Sequence, residues 1–227
     1  MITDDTQYNH LWQEVRDKTR GQSDSLSHPR LEEIIYTTVI SYASTKDMLT
    51  GGSDRKSTGN FLEIVVENLI KSVTGLSIGG KITVTENFDV PVDIHVYREG
   101  DGDRKLALPT KMSLRERSSQ PYVHHFLLDA GSKEYDVSEF KTALFVVSDY
   151  QRYKDTVQLT TTPDQISLYQ KYLAPIDSFY FLDKNKTLED GSPFPSSKGK
   201  DLEIKSYKEF FEDDLPEYAD WIKNGQG

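Results

Sequence analysis

Residues 92–117, VDIHVYREGDGDRKLALPTKMSLRER, decide how this chain is read. Val92 to Tyr97 alternates apolar and polar residues, as a half-buried strand does, and residues 105–110 (KLALPT) form a second apolar run. The EGDGD of residues 99–103 supplies a hairpin turn between them. The alternation predicts Asp93 on the side of its strand away from Val92, Ile94 and Val96, with Lys111 at the end of the next strand. Beyond Lys111, Ser113 to Arg117 reads as the start of a helix, Ser113 at the N-cap and Glu116 closing a capping box. A carboxylate on one strand with an ammonium at the end of its neighbour suits a metal-dependent phosphodiesterase. The carboxylate holds a divalent cation against the phosphate, and the ammonium orients or helps deprotonate the attacking water.

Outward from this stretch, residues 60–74 carry Phe61, Leu62, Ile64, Val65, Val66, Leu69, Ile70 and Val73, with one polar stripe of Asn60, Glu63, Glu67 and Lys71. That spacing predicts a helix laid on a core. Residues 3–20 and 30–49 read as amphipathic helices, the second opening after Pro29, and the glycine-rich stretch 50–59 as a loop. Strands are expected at 81–86, 92–97, 105–110, 142–148 and 178–182. Helices are expected at 114–130, 164–173 and 206–223, the last interrupted at Pro216, with 149–163 and 184–200 irregular. The order α-β-β-β-α-β implies an α/β (α+β) fold, a mixed central sheet flanked by helices. One domain is expected over 1–227, with its core at about 57–183 and helical additions at 1–50 and 206–223.

The composition excludes several chemistries. There is no cysteine, so disulfides, thiolate zinc sites and cysteine nucleophiles are ruled out, which fits a reducing cytoplasm. The first residues lack a basic segment followed by an apolar one, and no apolar run reaches membrane-spanning length, so an intracellular, soluble protein without a signal peptide is expected. The net charge of −10 argues mildly against a nucleic-acid binder, since such proteins are usually basic. Against that, Arg104, Lys105, Lys111, Arg115 and Arg117 cluster around the central stretch with only Asp103 and Glu116 among them. A local basic cleft on an acidic protein implies strongly salt-dependent binding.

The order of a glutamate-bearing helix, a strand, a strand with Asp, a strand ending in Lys, a helix and a strand resembles the core of PD-(D/E)xK nucleases. Thr110 to Arg117 (TKMSLRER), followed by Gln120, is similar to a lysine-centred segment of many type II restriction endonucleases. The resemblance covers roughly 57–149. It implies a restriction-endonuclease-like core, with Asp93 as the metal-bridging carboxylate, Lys111 as the catalytic lysine and Mg2+ as cofactor. It also implies products bearing 5′-phosphates. Two departures stand out: Pro109 occupies the position two before the lysine, where the pattern has Asp or Glu, and Pro-Asp is stretched to Pro91-Val92-Asp93.

Because proline offers no side-chain ligand, the second acid is expected from Glu67 or Glu63, which are four apart and share a helical face. Each could equally be part of a solvated stripe, with Lys71 pairing Glu67. The main-chain carbonyl of Thr110 is a further oxygen suited to Mg2+. Asp93 is preferred to Asp89 as the ligand. His95, on Asp93's face, reads as a surface residue, and His124 and His125 as structural. Arg115 and Arg117 in a first helical turn oppose the helix dipole, which points to phosphate contacts or to buried pairing with Glu116. Ser113 and Gln120, with Arg55, Lys56, Arg152 and Lys154 in two polar segments, complete the candidate DNA-binding set. The function implied is site-specific cleavage of double-stranded DNA by a homodimer, as a symmetric site favours. The alternatives are a repair or recombination nuclease on the same core, or a DNA-binding protein of that fold that has lost catalysis.

Overall fold

The computed structural model describes residues 29–51, 56–85, 88–100, 104–114, 118–135, 139–148, 150–153, 156–159, 163–183, 193–196 and 201–224. Two helices, α1 (Pro29–Thr50) and α2 (Lys56–Thr74), precede a run of strands. These are β1 (Ser77–Thr85), β2 (Phe88–Tyr97), β3 (Arg104–Leu108) and β4 (Thr110–Lys111). Next come α3 (Gln120–Tyr135), β5 (Glu139–Ser148), β6 (Tyr150–Tyr153), β7 (Thr156–Leu159), α4 (Pro163–Tyr172), β8 (Ser178–Asp183) and β9 (Ile204–Ser206). The described chain closes with α5 (Tyr207–Glu209), a π-helical turn (Phe210–Asp214) and α6 (Leu215–Asn224).

The sheet is mixed, as expected. Its order is β1-β2-β3-β5-β8-β9, with β4 also paired to β5. The β1, β2 and β3 strands are antiparallel, whereas β3, β5, β8 and β9 run parallel. Strand β5 is buried on both faces, which is why its sequence is an almost unbroken apolar run. Ala143, Phe145 and Val147 enter the core beneath α1, α2 and the C-terminal helices. Leu144 and Val146 enter the opposite core with Tyr122 of α3 and Ile166 of α4. Each of the Val, Leu, Ile and Phe side chains among these contributes about 1.5–3 kcal/mol on burial.

The C-terminal segment is fastened at both ends. Ser206 caps it with a complete capping box to Glu209. At its far end, Arg98 donates to the Lys223 carbonyl at 2.9 Å and Arg104 to the Trp221 carbonyl at 3.3 Å, cations set against helix C-terminal carbonyls. The expected interruption at Pro216 takes another form. The helix continues through Pro216, and the irregularity precedes it as the π turn, a widening that accommodates a ring that would otherwise press on the carbonyl four residues back.

Several expectations shift. The helix expected from 60 begins at Lys56, inside the stretch read as a loop. The helix expected at 114–130 is Gln120–Tyr135, so Ser113 lies in the connection ahead of it. The segment read as irregular at 149–163 contains the β6-β7 hairpin. The strand read across 105–110 is split at Pro109, which has no N–H to give to the ladder. Phe145 N donates to the Pro109 carbonyl at 2.9 Å, and the register with β5 is the same on both sides of the break. The helix expected at 3–20 lies outside the described residues. No helix among the described residues is long and apolar enough to cross a membrane.

Candidate active site

The site is made by an irregularity in β2. On β1, Gly79 pairs with His95 and Lys81 with Pro91, so Val92, Asp93 and Ile94 span what Gly80 spans alone. This bulge changes which face the strand buries. Val90 and Val92 pack in the core with Leu128 of α3, whereas Ile94 and Val96 pack in the core beneath α2. The simple alternation expected of Val92, Ile94 and Val96 is therefore wrong, and Asp93 sits at the crossover. A bulge re-aims a side chain and frees it from the ladder.

There Asp93 meets the strand end expected to face it. Its Oδ2 accepts from Lys111 Nζ at 2.7 Å and from the Thr110 N–H at 2.7 Å. Thr110 thus engages Asp93 through its N–H, a group distinct from the main-chain carbonyl expected as a ligand. The pair is partly shielded, with the Lys111 side chain 17% and the Asp93 side chain 28% exposed. Asp89 lies apart: it pairs with Lys81 at 2.6 Å and Thr83 at 2.7 Å on the exposed edge.

Of the two helix glutamates, Glu63 alone feels this pair. Burial, then the Asp93 charge, push its carboxyl up to about 7, with Lys111 opposing. Glu67 is also raised, by burial, but its charged neighbour is Lys71. From the opposite face of the sheet, α3 brings His124 into the field of the same two charges. Burial and then Lys111 lower its pKa, and Asp93 opposes them. Sequence reasoning passed over His124 because it looked for metal-ligand spacing along the chain. The available signal was its position one turn before Leu128, on a helix flank that faces β2.

The other histidines are elsewhere. His95 is buried against Gly79, not exposed, and burial and Lys105 push its pKa down to about 4. His125 Nδ1 lies 3.0 Å from Thr142 Oγ1, inside the sheet–helix interface, in the structural role expected of it. Two members of the expected basic cluster are engaged away from the site. Arg104 pairs with Glu139 at 3.1 Å and holds the C-terminal helix, and Lys105 lies over Phe140 at the far end of β3.

Gln120 opens α3, and its buried Oε1 has no hydrogen-bond partner among the described residues. Arg55, Arg115, Arg117 and Lys154 lie outside the described residues, and only the backbone is described for Lys56 and Arg152. Near the site, Ser148 N donates to the Met112 carbonyl at 3.2 Å, fixing the chain that follows Lys111 against the end of β5.

The residues suit a hydrated hard cation better than a fully enclosed one. Asp93 and Glu63 repel each other through space, and a cation between them would relieve that repulsion. Mg2+ commonly takes one or two carboxylates and keeps several waters. Among the described residues no three acids and histidines converge closely enough to enclose an ion by themselves. A cavity of about 180 Å3 lies elsewhere, lined by Lys141, Asp177, Ser178, Lys205, Asp214 and Tyr218 among others. Its polar groups engage one another, Lys205 with Asp214 at 2.8 Å and Ser178 with Tyr218 at 2.7 Å.

No protein-family model matches the sequence, and no curated protein does. Solved structures do match the fold. The crystal structure of the Type IIP restriction endonuclease Kpn2I superposes with a TM-score of 0.68 at 22% identity, covering 100% of this chain and 76% of that one. A complex of the restriction endonuclease PspGI with its substrate DNA superposes with a TM-score of 0.52 at 12% identity, covering 85% of this chain and 74% of that one.

Proposed function

From a restriction-endonuclease-like fold as the starting point, we propose that this chain is a Mg2+-dependent, site-specific endonuclease of double-stranded DNA, acting as a homodimer. The observation that carries the reading is the Asp93–Lys111 pair, set by a bulge and a strand break where α2 brings in a carboxylate with a pKa of about 7. Both fold neighbours are restriction endonucleases, one of them bound to its substrate DNA, which supports DNA as the substrate.

Asp93 and Glu63 would hold Mg2+, with Glu67 behind them on the same helical face. The bound ion would neutralise phosphate charge and acidify its water. Lys111, held by Asp93, places an ammonium where it can donate to the attacking water or to a non-bridging phosphate oxygen. Bound to the cation, the Glu63 carboxylate would be held ionised, and the proton that the water loses would pass to solvent. The water oxygen bonds to phosphorus, the P–O3′ bond breaks in line, and O3′ leaves to gain a proton. The products are a 5′-phosphate and a 3′-hydroxyl. Ser113, Gln120 and the arginines at 115 and 117 follow Lys111 directly in the chain and would carry contacts to phosphates and bases.

The test is incubation of the protein with phage DNA of mixed sequence and Mg2+, beside Lys111→Ala and an EDTA control. Discrete fragments that disappear in both controls support the proposal. A smear points to a repair-type nuclease, and intact DNA that is still retarded on a gel points to a binding protein without catalysis.

A further inference from the structure

We infer that the β6–β7 ribbon reads bases in the DNA major groove, with Gln151 and Gln158 specifying adenine; this rests on the nuclease reading above and names the element that chooses the sequence. The ribbon is rooted at the site. Lys111 pairs with Val146 of β5, and β5 ends shortly beyond, at Ser148. Ser148 is held from two sides. Its N–H donates to the Met112 carbonyl at 3.2 Å, and its hydroxyl to Asp183 of β8 at 3.2 Å. Strand β6 opens at Tyr150, so the ribbon and the chain that follows Lys111 leave the sheet at the same end.

Strands β6 and β7 form a two-stranded sheet of their own. Each has four residues, a length of about 13 Å at ~3.3 Å per residue. The major groove, about 12 Å wide, admits a ribbon of two strands.

The register sorts the residues of this ribbon. Opposite residues of an antiparallel pair share a face, and faces alternate along each strand. Gln151 lies opposite Gln158 and Tyr153 opposite Thr156, which puts two amides, a phenol and a hydroxyl on one face. Tyr150 with Leu159 and Arg152 with Val157 take the other. The first face bears no charge, and neither strand contains Asp or Glu, in a chain of net charge −10. A face without cations adds nothing to the salt-dependent attraction for phosphates, and its hydrogen-bonding groups suit base edges. A glutamine amide donates to adenine N7 and accepts from the adenine N6 amino group, a pair of contacts that singles out A·T in the major groove. A homodimer presents the ribbon twice about its twofold axis, so the adenine preferences recur symmetrically in the site.

The test uses the full chain and a DNA duplex library with a randomised core as probe. Sequencing reads both the fragments cut with MgCl2 and the duplexes retarded on a gel without it. Wild type, Gln151→Ala, Gln158→Ala and Gln158→Glu are compared, each checked by thermal melting. Wild type is expected to select A·T pairs at symmetric positions. Each alanine variant is expected to relax the choice at one such pair about tenfold, with preferences elsewhere and the salt dependence of binding unchanged. Gln158→Glu, close to glutamine in size, is expected to lose its adenine as well, because a carboxylate repels N7. Placing 7-deazaadenine at that position should weaken wild type and leave Gln158→Ala unaffected. A wild-type site without adenine preference, unchanged preferences in all three variants, or a loss spread evenly over every sequence would overturn the base-reading role and leave the nuclease standing. Duplexes selected for adenine but left uncut would overturn the nuclease reading alone, and a library neither cut nor bound would overturn both.

Discussion

Strands β5 and β2 lie on either side of β3 and obey opposite rules. In β5 the alternation is unbroken: Ala143, Phe145 and Val147 serve one core and Leu144 and Val146 the other, with every one of these residues buried. In β2 the alternation fails at Val92 to Ile94, the strand exchanges cores, and the residue at the exchange is an aspartate. One strand keeps its periodicity and holds the molecule together. The other breaks it and carries a charged pair. Local conflict with the pattern is where chemistry is expected to sit, because nothing in packing asks for it.

Substitutions separate the two roles. Lys111→Ala should lower DNA cleavage about a thousandfold, equivalent to about 4 kcal/mol of barrier, while the thermal melt stays cooperative. Single-turnover cleavage beside calorimetry checks this. Phe145→Ala in β5 should do the reverse: about 3–5 kcal/mol of stability lost through a cavity, with cleavage falling only as the folded fraction falls. Denaturant unfolding measures it.

Between these extremes lies Gly79→Ala, on β1 beside the bulge. The added methyl meets the His95 ring, so about 1–3 kcal/mol of stability should be lost as β1 and β2 shift apart. Because His95 lies two residues from Asp93, the cleavage rate of the folded fraction should fall too, which Phe145→Ala would not cause.

The smallest effect is a pH dependence. Glu63 is raised from 4.5 to about 7, so the folded chain holds its proton more tightly than the unfolded one. Its favourable contribution is complete below pH 4.5 and is lost as pH rises through 7. Glu63→Gln should therefore gain stability relative to wild type across that window and keep the gain above it. Melting temperatures at pH 4, 6 and 8 read this directly.

The periodic elements were legible in the sequence because their periodicity serves one purpose. The apolar face of α2, the double burial of β5 and the mixed order of the sheet follow from residue spacing, and the meeting of Asp93 with Lys111 was legible from strand position. What escaped has physical causes. The bulge in β2 depends on how Gly79 and Gly80 pair across strands, which spacing within β2 does not encode. Ser113 and Glu116 looked like a capping box, but the helix begins after them, at Gln120. His124 comes into the field of Asp93 and Lys111 only through the rotation of α3, set by Gly131 and His125 against strands distant in sequence. The choice between Glu63 and Glu67 needed the position of the Asp93 charge, which the helix alone leaves open.

The most direct measurement is cleavage and folding of Asp93→Asn in the same preparation, with phage DNA and Mg2+. If the break in β2 exists to place a catalytic carboxylate, the variant melts cooperatively within a few degrees of wild type and cuts no DNA above background. Cleavage at the wild-type rate would contradict that role, as would a loss of cleavage that only tracks a loss of folded protein.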